Sequence, residues 1–260
     1  MPPSSPSYKV GAYMRKEELQ KIYDRRYFET KEKDKHMQRY EEKYPHSYSM
    51  AIGLIGCFSP KNVLDVGCGE GALVHAFIDL GVKAYGVDVS KDAISIAKEK
   101  VKERLRDANE EDLPFYIIDV EEDILPFQDD CFDLITAIEL VDHLYSYKHC
   151  LNEIKRVLNQ EGHFIVATHQ PGSIYSFGDE THRNIQAKEK WIELFKQHGF
   201  FEIEDFRQRF KKFAISKPPV KEKGKEMIER GEIEKRPQYL WERYEKDQII
   251  IVLKKNFSGQ

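Results

Sequence analysis

Apolar residues along this chain fall into two alternating rhythms. Short, mostly continuous runs at 63–66, 85–88, 115–119, 132–138 and 163–168 have the length and composition of buried strands. Between them the spacing lengthens to that of helices. The stretch 72–80 reads as a helix that stops near Gly81. Ser90 is a good N-cap, and beyond it Ile94, Ala97, Val101 and Leu105 line one face against a Lys/Glu/Arg face. Leu151, Ile154, Val157 and Leu158 mark a further helix before a turn at Gln160-Glu161-Gly162. Trp191, Leu194 and Phe195 build another, ended by Gly199, where glycine readily takes the left-handed conformation. The stretch 201–210 alternates like a strand, and 248–253 reads as the last one. Strands alternating with helices predict an α/β fold with a mostly parallel sheet covered on both faces.

Two regions depart from this rhythm. Residues 13–55 are helical in pattern and highly charged, with Tyr23, Tyr27, Phe28, Tyr40, Tyr44 and Tyr48 interleaved; 49–58 supplies the helix before the first strand. Packing of an amphipathic helix onto the core is the plain reading of those aromatics. Between the last two strands, 207–247 replaces what a hairpin would close in a few residues. It carries Arg207, Arg209, Lys211, Lys212, Lys217, Lys221, Lys223 and Lys225 against a single acid, Glu222, with a helical pattern over 227–234. A loop this long is commonly functional or disordered. The expected organisation is a helical cap (1–55), a cofactor-binding core (56–206), a basic insertion or lid (207–247), and the last strand and tail of the core (248–260).

The candidate chemistry sits where strands stop. The first run ends at Asp65-Val66 and breaks into Gly67-Cys68-Gly69-Glu70-Gly71, a tight turn into a helix. Glycine there accepts positive φ and lets a ligand approach the backbone. The spacing is G-x-G-x-G, not the G-x-G-x-x-G of dinucleotide folds. The next strands end on Asp88, Asp119 and Glu139. The order DVGCGEG, GVD, IIDV, LPFQDDCFDLITAIELVDHL and KRVLNQEGHFIVAT resembles the class I S-adenosylmethionine-dependent methyltransferases, over roughly 60–205. YDRRYFE, at 23–29, resembles the segment that closes over the cofactor in many small-molecule and sugar methyltransferases.

The resemblance implies a doubly wound, seven-stranded, Rossmann-like sheet with an antiparallel last strand. It implies S-adenosyl-L-methionine as cofactor. Asp65, Gly67, Cys68, Gly69 and Gly71 would cradle the methionine moiety, Asp88 beside Val89 would take the ribose hydroxyls, and Asp119 with Val120 would face adenine. Glu139 would close that set. Glu139, Asp142 and His143 stand at i, i+3 and i+4, which on a helical turn would share one face. His143 and Glu139 are therefore the catalytic candidates, with His169 and His182 as further nitrogens. The motif resembles the E-x-x-E-H of ubiquinone-biosynthesis O-methyltransferases and of small-RNA 2′-O-methyltransferases. Here Asp142 is one methylene shorter. A divalent metal on Glu139, Asp142 and His143 is the less favoured alternative, and no metal is expected.

Composition narrows the partners. The chain has 260 residues, 40% hydrophobic, enough for a substantial core, and a formal charge of −4, which argues against capture of nucleic acid by global charge. Cys57, Cys68, Cys131 and Cys150 form no C-x-x-C pair and read as free thiols of a reducing compartment. There is no run of eighteen apolar residues and no signal-like start, so a cytoplasmic protein with no membrane partner is expected. The best reading is O- or N-methylation of a small molecule or glycan precursor, with an anionic acceptor if the basic insertion takes part. An RNA methyltransferase (2′-O or modified base) is second, and a non-catalytic S-adenosylmethionine-binding regulator third.

Overall fold

The computed structural model describes residues 15–24, 40–102, 104–105, 108–173, 181–203 and 248–256. Strands β1 (Asn62–Val66), β2 (Lys83–Asp88), β3 (Phe115–Ile117), β4 (Phe132–Ile138), β5 (Leu158–His169), β6 (Phe200–Glu202) and β7 (Gln248–Lys255) form one sheet, ordered β3-β2-β1-β4-β5-β7-β6. β1 pairs in parallel with β2 and β4, β2 with β3, and β4 with β5. β7 is antiparallel to both neighbours, β5 and β6. The strand order reverses at β1 and β4, so their carboxyl ends open the crevice in which open α/β sheets bind ligands.

Alternation along β1 divides the core. Val63 faces a cluster with Leu54, Val74, Phe77 and Ile94, while Leu64 and Val66 face Ile154, Phe164 and Trp191. The first cluster is built by α2 (Tyr40–Phe58), α3 (Ala72–Asp79) and α4 (Lys91–Lys102). On α4, Ile94, Ala97 and Val101 are buried as their spacing requires, and Ser90 Oγ accepts the Ala93 amide at 3.1 Å. The second cluster is covered by α5 (Lys148–Val157) and α6 (Lys188–Gln197), with Trp191 and Phe195 fully buried. Burying one such side chain contributes about 1.5–3 kcal/mol, so α6 is anchored mainly by these two.

Three expectations change. The N-terminal cap boundary at residue 55 falls inside α2, whose Tyr48, Ala51 and Leu54 are buried in the core. α1 (Lys16–Ile22) has no buried residue and lies apart from that packing. The turn at 160–162 is instead a bulge within β5. From Phe132 to Leu134 β4 advances two positions while β5 advances five, from Leu158 to His163, so the extra residues loop out of the ladder. Third, β3 ends at Ile117, leaving Asp119 in the connection that follows. The sixth strand is described only as far as Glu202. The basic insertion 207–247, its expected helix, and Tyr27 and Phe28 lie outside the described residues. No helix among the described residues is long and apolar enough to cross a membrane.

Candidate functional site

The glycine turn is fastened to β2 by its own backbone. The Gly67 and Cys68 amides donate to the Val87 carbonyl at 2.8 and 3.0 Å, and the Gly71 amide to the Cys68 carbonyl at 2.9 Å. The Gly69 amide donates to Asp88 Oδ2 at 2.9 Å. The turn therefore contributes shape more than free amides. Gly67, Gly69 and Gly71 have φ of +75°, +51° and +77°, a region that costs other residues about 1–2 kcal/mol. A Cβ on Gly71 would lie 2.7 Å from the Phe115 ring, and one on Gly67 2.9 Å from Leu140 Cδ1, whereas one on Gly69 would meet nothing within 4 Å. The open face of the turn is at Gly69.

The other residues expected on this side are in place around it. Asp88 Oδ1 accepts the Ser90 amide at 2.8 Å, so two backbone donors fix the carboxylate at the end of β2. Val89 follows it. Cys68 is turned inward, its Sγ only 2.7 Å from where a Cβ on Gly86 would stand, and burial pushes its thiol pKa well up. Asp65 is buried beneath the turn; Thr136 Oγ1 donates to its Oδ1 at 2.6 Å. Burial outweighs that bond and raises the Asp65 pKa to about 7, with Asp88 adding repulsion. Asp119 is also buried and shifted upward for the same first cause, while Val120 packs on the core.

α1 crosses this edge. Lys16 pairs with Asp123, Gln20 Nε2 donates to the Val89 carbonyl at 3.2 Å, and Ser90 Oγ donates to the Tyr23 carbonyl at 2.5 Å. At its end the Tyr23 hydroxyl is 3.5 Å from His143 Nδ1, linking the β2 side to the β4 side.

The β4 side is a cluster of imidazoles around one carboxylate. Glu139, Asp142 and His143 do not share a helical turn. Glu139 takes a left-handed φ of +54°, and only Val141–His143 form a short 3₁₀ turn. The chain thus breaks direction at Glu139 and separates it from Asp142. A non-glycine residue in that region is a local strain that persists because its surroundings impose it. Here the Glu139 amide donates to Ala167 at 2.8 Å, and Gln248 from β7 donates to Glu139 Oε1. Asp142 points inward and is fully buried. Its Oδ2 lies 2.7 Å from His169 Nδ1 and 3.7 Å from His182 Nε2. Its Oδ1 is buried with no hydrogen-bond partner among the described residues, and His143 Nε2 stands 4.0 Å away. Burial raises the Asp142 pKa, but the His169 hydrogen bond and the three imidazoles win and bring it to about 2. The carboxylate is therefore ionised. His143 Nδ1 is 3.0 Å from Thr181 Oγ1. His182 bridges the other two imidazoles, with ring centroids 4.7 Å from His143 and 4.9 Å from His169.

The stretch that delivers Thr181 and His182 is tied down by Asp142 itself, whose carbonyl accepts the Arg183 and Asn184 amides at 2.7 and 3.0 Å. Asp142, His143 and His182 are the described residues that bring ligand-type atoms within 4.8 Å of one another. Glu139 is not in that group. It lies instead near His169, Oε1 to Nε2 being 3.9 Å. Thr181 and Gln248 carry no sequence signal of their own. The strand-end position of His169 is the one cue that singles it out.

A glycine turn, a carboxylate one strand over and an acid–imidazole cluster on the next strands thus share one sheet edge. The family model of the methyltransferase domain matches residues 58–232. The chain belongs to the class I S-adenosylmethionine-dependent methyltransferases. The uncharacterized methyltransferase YcgJ of Bacillus subtilis (strain 168) is 32% identical over 113 residues, 44% of this chain and 42% of that protein. The ubiquinone biosynthesis O-methyltransferase of Glaesserella parasuis serovar 5 is 28% identical over 119 residues, 45% and 47% of the two chains. The chain thus spans less than half the length of those relatives. The crystal structure of B. subtilis YcgJ superposes with a TM-score of 0.53 at 20% identity, covering 81% of this chain and 98% of that one; it shares the fold.

Proposed function

We propose that this protein methylates a hydroxyl or amine of a small molecule at the carboxyl edge of the sheet. The observation that carries the reading is the shared edge: an open glycine turn with Asp88 on one side, a buried acid–imidazole cluster on the other. S-adenosylmethionine supplies an electrophilic methyl group when bound. The residues present fit it. Gly69 leaves the space into which its methionine part would enter, beside Gly67, Gly71 and the buried Asp65. Asp88, fixed by two amides at the end of β2, would take the ribose diol, and Asp119 with Val120 would face adenine. α1 would exclude water from above. Glu139 and His143 would flank the approaching acceptor, whose proton must leave as the bond forms. A hydroxyl acceptor is favoured over an amine by the imidazoles available to take that proton and by the O-methyltransferase relative. Asp142, His143 and His182 would be the residues to meet a cation, but Asp142 already spends one oxygen on His169, and we read the cluster as handling protons.

Calorimetry tests the cofactor part. Native protein should bind S-adenosylmethionine or S-adenosylhomocysteine at one site, and Asp88→Ala should bind at least about tenfold more weakly, since a hydrogen bond to a charged group contributes about 1.5–3 kcal/mol. No binding, or NAD in its place, would sink the reading. A labelled-methyl screen over phenols, small acids, nucleotide sugars and RNA identifies the acceptor. Transfer to RNA alone would overturn the small-molecule assignment. EDTA should leave turnover unchanged.

A further inference from the structure

We infer that Gln248 is the positioning residue for Glu139: from the start of β7 it holds one carboxylate oxygen and so presents the other to the methyl acceptor. This rests on the methyl-transfer reading above, in which Glu139 flanks the acceptor, and names the group that aims it.

Three strands meet at this point of the edge. Glu139 follows the last residue of β4, and its amide donates to Ala167 of β5 at 2.8 Å. Gln248 opens β7 as the ladder partner of His169, the last residue of β5. β5 therefore lies between Glu139 and Gln248. Neighbouring strands stand about 4.8 Å apart, so β4 and β7 are roughly 9–10 Å apart. Only two long side chains reaching over β5 can meet, and Gln248 Nε2 donates to Glu139 Oε1 across that gap. A carboxylate accepts, so the amide nitrogen must face it and the amide oxygen must turn away.

Two costs mark the pair as more than packing. Glu139 keeps a φ of +54°, which a residue with a side chain disfavours. Gln248 is only 8% exposed, and its Oε1 is buried with no hydrogen-bond partner among the described residues. An apolar residue at the same place would leave no carbonyl unpaired. What Gln248 supplies in return is the N–H donor to Glu139. The two carboxylate oxygens thereby become unequal. Oε1 is taken by Gln248 and lies 3.9 Å from His169 Nε2. Oε2 accepts no hydrogen bond among the described residues, and the side chain is half exposed. Without Gln248 the carboxylate would turn about its last torsion, which is broad and nearly twofold. With it, Oε2 is fixed for the acceptor's hydroxyl. That matters because transfer depends on how the acceptor is aligned with the methyl group.

Side-chain amide NMR tests the pair without turnover. In the full chain, the Gln248 Nε2 protons should exchange with solvent more slowly than those of exposed glutamines. Glu139→Ala should abolish that protection and leave the β7 backbone amides protected. Fast exchange in the native chain, or protection that survives Glu139→Ala, overturns the inference. Kinetics tests the role. Gln248→Met keeps the length and removes the donor; kcat/KM for the acceptor should fall about tenfold, with cofactor affinity within about twofold of native. Gln248→Asn keeps the amide but is one methylene short of the span, and should lose as much. In a Glu139→Ala background, Gln248→Met should cost nothing further. Full activity in Gln248→Asn, or losses that multiply in the double variant, would make Gln248 a packing residue and overturn the assignment. Cofactor binding with no transfer to any acceptor would overturn the methyl-transfer reading and the positioning role with it. Amide exchange would then still show whether Gln248 holds Glu139.

Discussion

The two halves of the sheet edge each bury a carboxylate, and the two carboxylates are pushed in opposite directions. Beneath the glycine turn, Asp65 has one hydroxyl donor, from Thr136, and a like charge nearby in Asp88; burial prevails and its pKa rises to about 7. Beside β4, Asp142 is as deeply buried but surrounded by His143, His169 and His182, and its pKa falls to about 2. Burial alone does not set the sign. What decides it is whether the neighbours can donate a proton or carry positive charge. The first half is shaped by backbone. The second is shaped by imidazoles gathered around one ionised carboxylate.

That contrast can be broken by pH, and the largest effect should come from Asp65. Its folded pKa lies above its unfolded one, so its contribution to stability is complete below about pH 4 and is lost as pH rises through about 7. The loss amounts to as much as about 4 kcal/mol. Chemical denaturation of native protein and Asp65→Asn across that range should show this slope only in the native chain. A slope of equal size in both would clear Asp65. Next comes the turn itself: Gly71→Ala combines a left-handed backbone with a methyl placed 2.7 Å from Phe115 and should cost about 3 kcal/mol. Gly69→Ala, with open space, should cost only the backbone part. Equal losses in thermal melts would mean that Phe115 gives way. The smallest of the three is Asp142. Its folded pKa lies below the unfolded value, so its contribution is present above about pH 4 and is lost as pH falls toward 2, on the order of 2 kcal/mol. Acid unfolding of Asp142→Asn should lack that component.

The two halves also differ in how far a reader of the sequence can see them. The turn, Asp88 and the buried face of α4 are legible because each depends on neighbours a few residues away: three glycines at alternate positions, an acid closing a strand, Ser90 capping the helix that carries Ile94 and Ala97. The β4 side is not written that way. A helical face over Glu139, Asp142 and His143 is the natural reading of their spacing, but the left-handed turn at Glu139 is imposed by Ala167 and Gln248, partners that no local pattern announces. His169 reaches Asp142 because β5 lies beside β4, and His182 because the chain returns to the Asp142 carbonyl. Likewise the bulge over 160–162 carries turn-forming residues, and their composition does not distinguish a reversal from a looped-out strand. The glycine turn and its acid are therefore local in the sequence, and the acid–imidazole cluster is assembled over distance.

The position of β7 has a consequence for how the chain is made. β6 pairs with β7 among the described residues, and β7 separates it from β5. As the polypeptide leaves the ribosome, Phe200–Glu202 must wait while residues 203–255 are added, several seconds at about 5–20 residues per second. During that wait the β5 edge stays open, Glu139 lacks Gln248, and the hydrophobic face meant for Ile249, Ile251 and Leu253 has no cover. A nascent chain stalled in this interval should be a client for chaperones that hold unfinished sheets.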